Sequence, residues 1–195
     1  MKRIVFALVF IFCLNNPLFS EAIESDEYIT IDSVKYSVGM WCGMKIDSTL
    51  LANPEKLVRL PEKNCYNGYK IYVDSATRVA FIEMAEKAAQ DSIILIVKSG
   101  YRSARYQRSI IKRRLSEGQD FNKIIKYVAP PGYSEHETGR AMDLYSNEGN
   151  FNHSKAYNWL LKNAKNYGFY ETYPENKSYK KLPWEPWHWC YKPKK

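Results

Sequence analysis

The chain has 195 residues, 45% of them apolar and 26% charged, which suits one domain with a sizeable core and excludes a disordered tail, a collagen-like rod or a disulfide-dense miniprotein. Lysine and arginine exceed aspartate and glutamate by 29 to 21, a net charge of +8, and 15% of residues are aromatic. The three histidines stand at 136, 153 and 188, so histidine chemistry has few places to occur.

Lys2 and Arg3 precede an apolar run from Ile4 to Leu14, followed by the small residues Ser20 and Ala22. This is the layout of a cleavable export signal over residues 1–22. The run is too short for the roughly 20 residues that cross a bilayer. Cleavage after Ala22 removes Lys2, Arg3 and Glu21 and leaves a net charge of +7. The expected location is then the periplasm, cell wall or extracellular space, with membrane contact only through the signal before its removal. In that oxidising setting Cys42 and Cys65, both in the loop-rich N-terminal part, are the expected disulfide pair, and Cys190 is left over.

Residues 23–68 carry short apolar pieces broken by Pro54, Pro61 and Gly68 and read as an N-terminal extension wrapped on a main domain, 69–195. Asp74 can cap a helix over 75–90 whose Phe81, Met84, Ala85 and Ala88 share one face. IILIV at 93–97 predicts a central strand covered on both sides. A second helix over 104–117 turns Tyr106, Ile110, Ile111 and Leu115 inward and Arg105, Arg108, Lys112 and Arg113 outward. A proline-rich loop leads to a strand at 139–145. A third helix, 154–166, buries Tyr157, Leu160, Leu161 and Ala164 and stops at Gly168, and WHWCY at 187–191 forms the last strand. Helices and strands mix without regular βαβ alternation, so the expected class is α+β.

Two segments bring histidine and carboxylate together. In Ser134-Glu135-His136-Glu137-Thr138-Gly139-Arg140-Ala141-Met142-Asp143, a strand from Gly139 puts Gly139, Ala141 and Asp143 on one face, with His136 in the preceding turn above them. In Trp184-Glu185-Pro186-Trp187-His188-Trp189, His188 alternates away from Trp187, Trp189 and Tyr191, which are expected in the core. His136, Asp143 and His188 make a three-ligand set for one Zn2+ that keeps a fourth position open, as catalytic zinc sites do. Glu185 lies close enough to act as general base. Cys190 alternates onto the same face as His188, and His153 is expected at a helix start on the surface.

The pattern S-x-H-x-x-G-x-A-x-D followed by E-x-W-H, with Ser99-Gly100-Tyr101-Arg102-Ser103 and Gln107 upstream, resembles the zinc D-alanyl-D-alanine carboxypeptidases of the VanY type, the M15 peptidases. The resemblance covers about residues 69–192. It implies a central antiparallel sheet bearing zinc on His136, Asp143 and His188, catalysis by Glu185 with Arg102 at the developing oxyanion, and binding of the substrate by Arg102, Gln107 and Ser134. The implied substrates are peptidoglycan peptides, cleaved at a terminal D-Ala by a monomeric enzyme. Net positive charge suits work among anionic wall polymers, and export argues against nucleic acid. The same framework also resembles D,D-dipeptidases, L,D-carboxypeptidases and L-Ala-D-Glu endopeptidases, and a zinc-containing wall-binding module without turnover would keep the metal but need no base. Glu137 stands where many relatives have glutamine, and Cys190 where arginine is common.

Overall fold

The computed structural model describes residues 27–175 and 182–193; the export signal read at 1–22 lies outside them. The described chain opens with a hairpin of β1 (Tyr28–Ile31) and β2 (Val34–Ser37). After several short helical turns β3 (Val58–Arg59) pairs antiparallel with β4 (Tyr72–Val73). Then follow α1 (Ser75–Gln90), β5 (Ile96–Ser99), α2 (Ala104–Ser116), α3 (Phe121–Ile125), β6 (Ala141–Tyr145), α4 (Lys155–Asn163), β7 (Phe169–Glu171) and β8 (His188–Tyr191). β5 to β8 form one antiparallel sheet in the order β5-β6-β8-β7, so the fold is α+β. Among the described residues no helix is long and apolar enough to cross a membrane.

Each helix begins where a short polar side chain satisfies an otherwise orphaned amide. Asp74 accepts from the Thr77 amide at 2.6 Å, Ser103 from Tyr106 at 3.1 Å, and Ser154 from Tyr157 at 3.1 Å. Phe81, Met84, Ala85 and Ala88 of α1 are buried, as their spacing predicts, against Val97, Met142, Leu144 and Trp189 of the sheet.

Four expectations about which side chains of the strands and helices enter the core are corrected. The 93–97 run is not a central strand: β5 starts at Ile96 and forms the sheet edge, and Ile94 is 72% exposed while Leu95 and Val97 enter the core. On α2 it is Gln107, not Tyr106, that turns inward, and Tyr106 is exposed. On α4 the buried stripe runs through Ala156, Tyr157, Trp159 and Leu160, leaving Leu161 exposed, because the Trp159 indole reaches back to Asp91 at the end of α1 (2.8 Å). Trp187 precedes β8 rather than joining it and is exposed, whereas Trp189 is buried and Tyr191 packs against the core.

Residues 28–68 are built into the body of the protein. Val38 and Trp41 share a second core with Ile111, Phe121, Ile124 and Ile125, where the Trp41 indole donates to the Ile125 carbonyl at 2.7 Å. Leu60 and Cys65 enter the main core, and Cys65 bridges to Val97 along the outer side of β5, covering an edge that would otherwise be open. The expected Cys42–Cys65 disulfide does not form, because Cys65 lies in the main core and Cys42 packs at the second.

The chain leaving β5 lies directly on β4. Tyr101 donates its amide to the Tyr72 carbonyl at 2.7 Å, and a Cβ on Gly100 would fall 2.6 Å from that carbonyl oxygen and 2.7 Å from the Ile71 side chain. Glycine is required there by close approach of backbone. Gly100→Ala is expected to cost about 1–3 kcal/mol by overpacking, read as a lower thermal midpoint; an unchanged midpoint would contradict the packing described.

Candidate metal centre

Met142 and Leu144 of β6 enter the main core, so alternation turns Ala141, Asp143 and Tyr145 to the opposite face. Gly139 is not part of this strand, contrary to expectation. It closes the helical turn Glu135–Thr138 at φ +69°, where a Cβ would meet the Leu57 side chain at 3.0 Å and the Asp74 amide at 3.1 Å. That turn carries His136 over Asp143. β8 pairs with β6 so that His188 stands opposite Asp143.

The three side chains meet at one oxygen. His136 Nε2 lies 3.2 Å and His188 Nδ1 3.0 Å from Asp143 Oδ1, and the three prospective ligand atoms all lie within 4.8 Å of one another. The far nitrogens are also held, His136 Nδ1 at 2.6 Å from the Gly100 carbonyl and His188 Nε2 at 3.0 Å from Glu135 Oε2. A carbonyl only accepts, so His136 donates through Nδ1–H, and a neutral ring then turns its Nε2 lone pair toward a carboxylate oxygen with no proton between them. A cation at the meeting point resolves that repulsion. Two imidazoles and one carboxylate, each held from behind by an acceptor, are a donor set that fits zinc with an open position.

Burial pushes the His136 pKa down from its ordinary value, against the pull of Asp143. Burial also opposes charge on His188, but its bonds to Asp143 and Glu135 outweigh it and push the pKa up to about 10. For Asp143 burial acts upward, yet the two imidazoles hold the carboxyl well below the usual range. Glu185 Oε2 stands 3.9 Å from His188 Nδ1, and burial raises its pKa against the pull of that histidine. Glu185 is therefore a carboxylate beside the ligand atoms with an increased hold on a proton.

Arg102 donates from Nη1 to Ser99 Oγ at 3.0 Å and to Asp143 Oδ2 at 3.2 Å, while its buried Nε finds no protein partner among the described residues. Arg102, Asp143, Tyr106 and Trp187 line one cleft of about 1250 Å³. Gln107 and Ser134, expected to bind the substrate, are 1% and 2% exposed and are not among the residues lining this cleft: Gln107 Nε2 donates to the Ala129 carbonyl at 2.9 Å, and the Ser134 carbonyl accepts from the Glu137 amide at 2.9 Å. Glu137 is buried, its Oε1 accepting from the Gly132 amide at 2.7 Å. Cys190 is buried outside the three-residue cluster, and burial pushes its thiol pKa up. His153 is exposed just before α4.

Sequence reasoning missed the residues behind the ligands. Glu135 orients His188, the Tyr173 ring packs 5.2 Å from the His188 ring, and the Gly100 carbonyl fixes His136. A carboxylate next to a candidate ligand was the available signal for Glu135; nothing local pointed to Tyr173.

A family model described as VanY, D-alanyl-D-alanine carboxypeptidase, matches residues 70–194. The chain belongs to the VanY family. It is 37% identical over 134 residues to YodJ of Bacillus subtilis (strain 168), provisionally named a carboxypeptidase, over 65% of this chain and 48% of that one. The VanY-family chain spans about half the length of the curated relatives it matches first. Among solved structures it is similar to the LD-carboxypeptidase LdcB, with TM-score 0.65 and 28% identity over 85% of this chain and 84% of that one. It is also similar to a mutant of the vancomycin-resistance D,D-pentapeptidase VanY in complex with Zn(II), with TM-score 0.58 and 26% identity over 75% and 82%.

Zinc titration against a chelating indicator should give one tight site in the native chain. His136→Ala and His188→Ala should abolish it, and His153→Ala should leave it intact. Glu135→Ala should weaken it about 10- to 100-fold, the usual effect of removing a carboxylate that orients a ligating histidine. Unaltered affinity in Glu135→Ala would show that the His188 orientation does not depend on it.

Proposed function

We propose that this protein is a zinc-dependent D-alanyl-D-alanine carboxypeptidase that removes the terminal D-Ala of peptidoglycan stem peptides outside the cytoplasmic membrane. The observation that carries the reading is the convergence of His136 Nε2, Asp143 Oδ1 and His188 Nδ1 beside a cleft that Arg102 lines, with Glu185 next to the ligand atoms. Membership of the VanY family and likeness to a Zn(II)-bound VanY structure support it. The signal-like N-terminus and the net charge of +8 support an exported site of action.

His136, Asp143 and His188 hold the zinc, which when bound supplies Lewis acidity at the scissile carbonyl and a more acidic water. Glu185 takes the proton of the attacking water and returns it to the leaving amine. Its burial suits both halves of that task, since a carboxylate with a raised pKa accepts a proton and holds it until the amine departs. Arg102 already touches Asp143, and its guanidinium lines the cleft, where it can donate to the terminal carboxylate or the developing oxyanion. The resemblance implies substrate binding by Gln107 and Ser134 as well; both are almost fully buried, and Gln107 donates to the Ala129 carbonyl in the stretch that leads to His136.

Likeness to LdcB over most of both chains favours L,D-carboxypeptidase activity as the second reading. The zinc-loaded chain should release one alanine from a muropeptide pentapeptide ending in D-Ala-D-Ala, followed by mass spectrometry. Cleavage confined to the tetrapeptide would move the activity to the second reading, and release of a dipeptide would move it to a D,D-dipeptidase. Absence of any product despite tight zinc would make the protein a binding module. Glu185→Gln should still bind zinc but lose at least about 100-fold in turnover, the lower end of what a general base contributes; full activity in that variant would remove Glu185 from the mechanism.

A further inference from the structure

The cleft continues well beyond the metal centre. From Asp143 it runs past Ser99, Lys98 and Tyr145 to Tyr69 and Lys70, on the segment leading into β4. A bulge in β5 shapes this part: Val97 pairs with Leu144 but Ser99 pairs with Asp143, leaving Lys98 as an extra residue in the strand. Strict alternation would send Ser99 to the core side, like Val97. With the bulge, Lys98 and Ser99 both line the cleft, a re-aiming of side chains that bulges commonly produce.

Lys98 is seated on aromatic rings. Its Nζ lies 5.8 Å from the centre of the Tyr66 ring and 5.9 Å from that of Tyr145, at the outer reach of cation–π attraction, and these two rings lie 4.4 Å apart. Tyr69 adds an edge contact to Tyr66 at 5.7 Å. No carboxylate among the described residues lies within ion-pair distance of Lys98 or Lys70. Of the residues lining the cleft, Lys70, Lys98 and Arg102 are cationic and Asp143 is the one acid, already engaged by Arg102 and both histidines. An exposed lysine is ordinarily just a solvated charge. Here two of them line one concave surface, and their counter-charge is missing.

Length decides what reaches them. A carboxypeptidase substrate has a single residue after the scissile bond, so a cleft extending this far from the metal must receive the part before it. Asp143 and Tyr145 are two residues apart on one face of β6, roughly 7 Å at strand rise, and an extended peptide climbs at the same rate. The side chain opposite Lys98 therefore belongs about two residues before the one at the metal. Stem peptides carry carboxyl groups in that stretch, on a D-glutamate whose α-carboxyl is free or amidated and, in some stems, on the diamino acid that follows.

We propose that Lys98, seated on Tyr66 and Tyr145 and joined by Lys70, binds a carboxylate of the stem peptide about two residues before the one at the metal, and so selects stems in which that group is ionised over stems in which it is an amide. This rests on the peptidase reading above and names the part of the substrate that the site recognises.

The test uses the full zinc-loaded chain and two synthetic pentapeptides ending in D-Ala-D-Ala that differ only in a free or amidated glutamate α-carboxyl. A second pair carries lysine or diaminopimelate at the next position. Binding is followed in parallel through tryptophan fluorescence, since Trp187 lines the cleft. At least one pair should show a preference of about tenfold for the extra carboxylate in kcat/KM and in affinity, the scale of one charge-assisted bond; the pair that shows it identifies the residue read. Lys98→Gln should bring that ratio to within about twofold of unity. Cleavage of all four peptides with equal efficiency, or a preference that survives Lys98→Gln, overturns the inference and leaves the peptidase reading standing. Preferential binding without cleavage upholds the carboxylate site and overturns the peptidase reading.

Discussion

Two imidazoles aimed at a single carboxylate oxygen, Asp143 Oδ1, form the arrangement on which the rest of the molecule depends. Each ring can present a lone pair there only if its other nitrogen is held, and the protein spends two distinctive pieces of chain on that requirement. Gly100 brings its carbonyl to His136 from a place where any Cβ would strike β4. Glu135 reaches His188 from the turn that Gly139 closes in the left-handed region. The two sequence segments that look like motifs are thus supports for two ring orientations, and their glycines matter as much as their polar side chains.

The sheet separates this chemistry from stability. One face of β6 and β8 sends Met142, Leu144 and Trp189 into the main core, and the other carries Asp143 and His188. Because the pairing sets His188 opposite Asp143, a one-residue slip in β8 would exchange the ligand for Trp189 and bury an imidazole in the apolar core. Register is therefore enforced by core packing, and the ligand geometry follows from it. β5 alters the same alternation with its bulge, which lets an edge strand present Lys98 and Ser99 together to the cleft.

The donor set was legible in the sequence because spacing and residue chemistry are both local. His136 and Asp143 lie seven residues apart within one turn and strand, and His188 lies in a strand whose alternating neighbours are aromatic. Face assignments on α1 were legible for the same reason. The phase of α4 was not, since it is set by a bond from Trp159 to Asp91, 68 residues away. IILIV reads as a central strand because composition reports burial without reporting what supplies it; here the covering element at the edge is the Cys65 segment, remote in sequence and irregular in form. Glu135 escaped notice because its partner is 53 residues distant.

The boundary of the family match divides the cleft in an informative place. All three donors, Glu185 and Arg102 fall within residues 70–194, whereas Tyr66 and Tyr69 lie just before it. Those tyrosines belong to a segment held by structure of its own, with Leu60 and Cys65 in the main core and Tyr66 against Tyr145. The candidate metal centre thus lies wholly inside the matched stretch, and the far wall of the cleft adds Tyr69 from just before it. Lys98 and Tyr145 lie inside that stretch and Tyr66 just before it, so the seat of the lysine straddles the boundary, apart from the oxygen at which the two histidines meet.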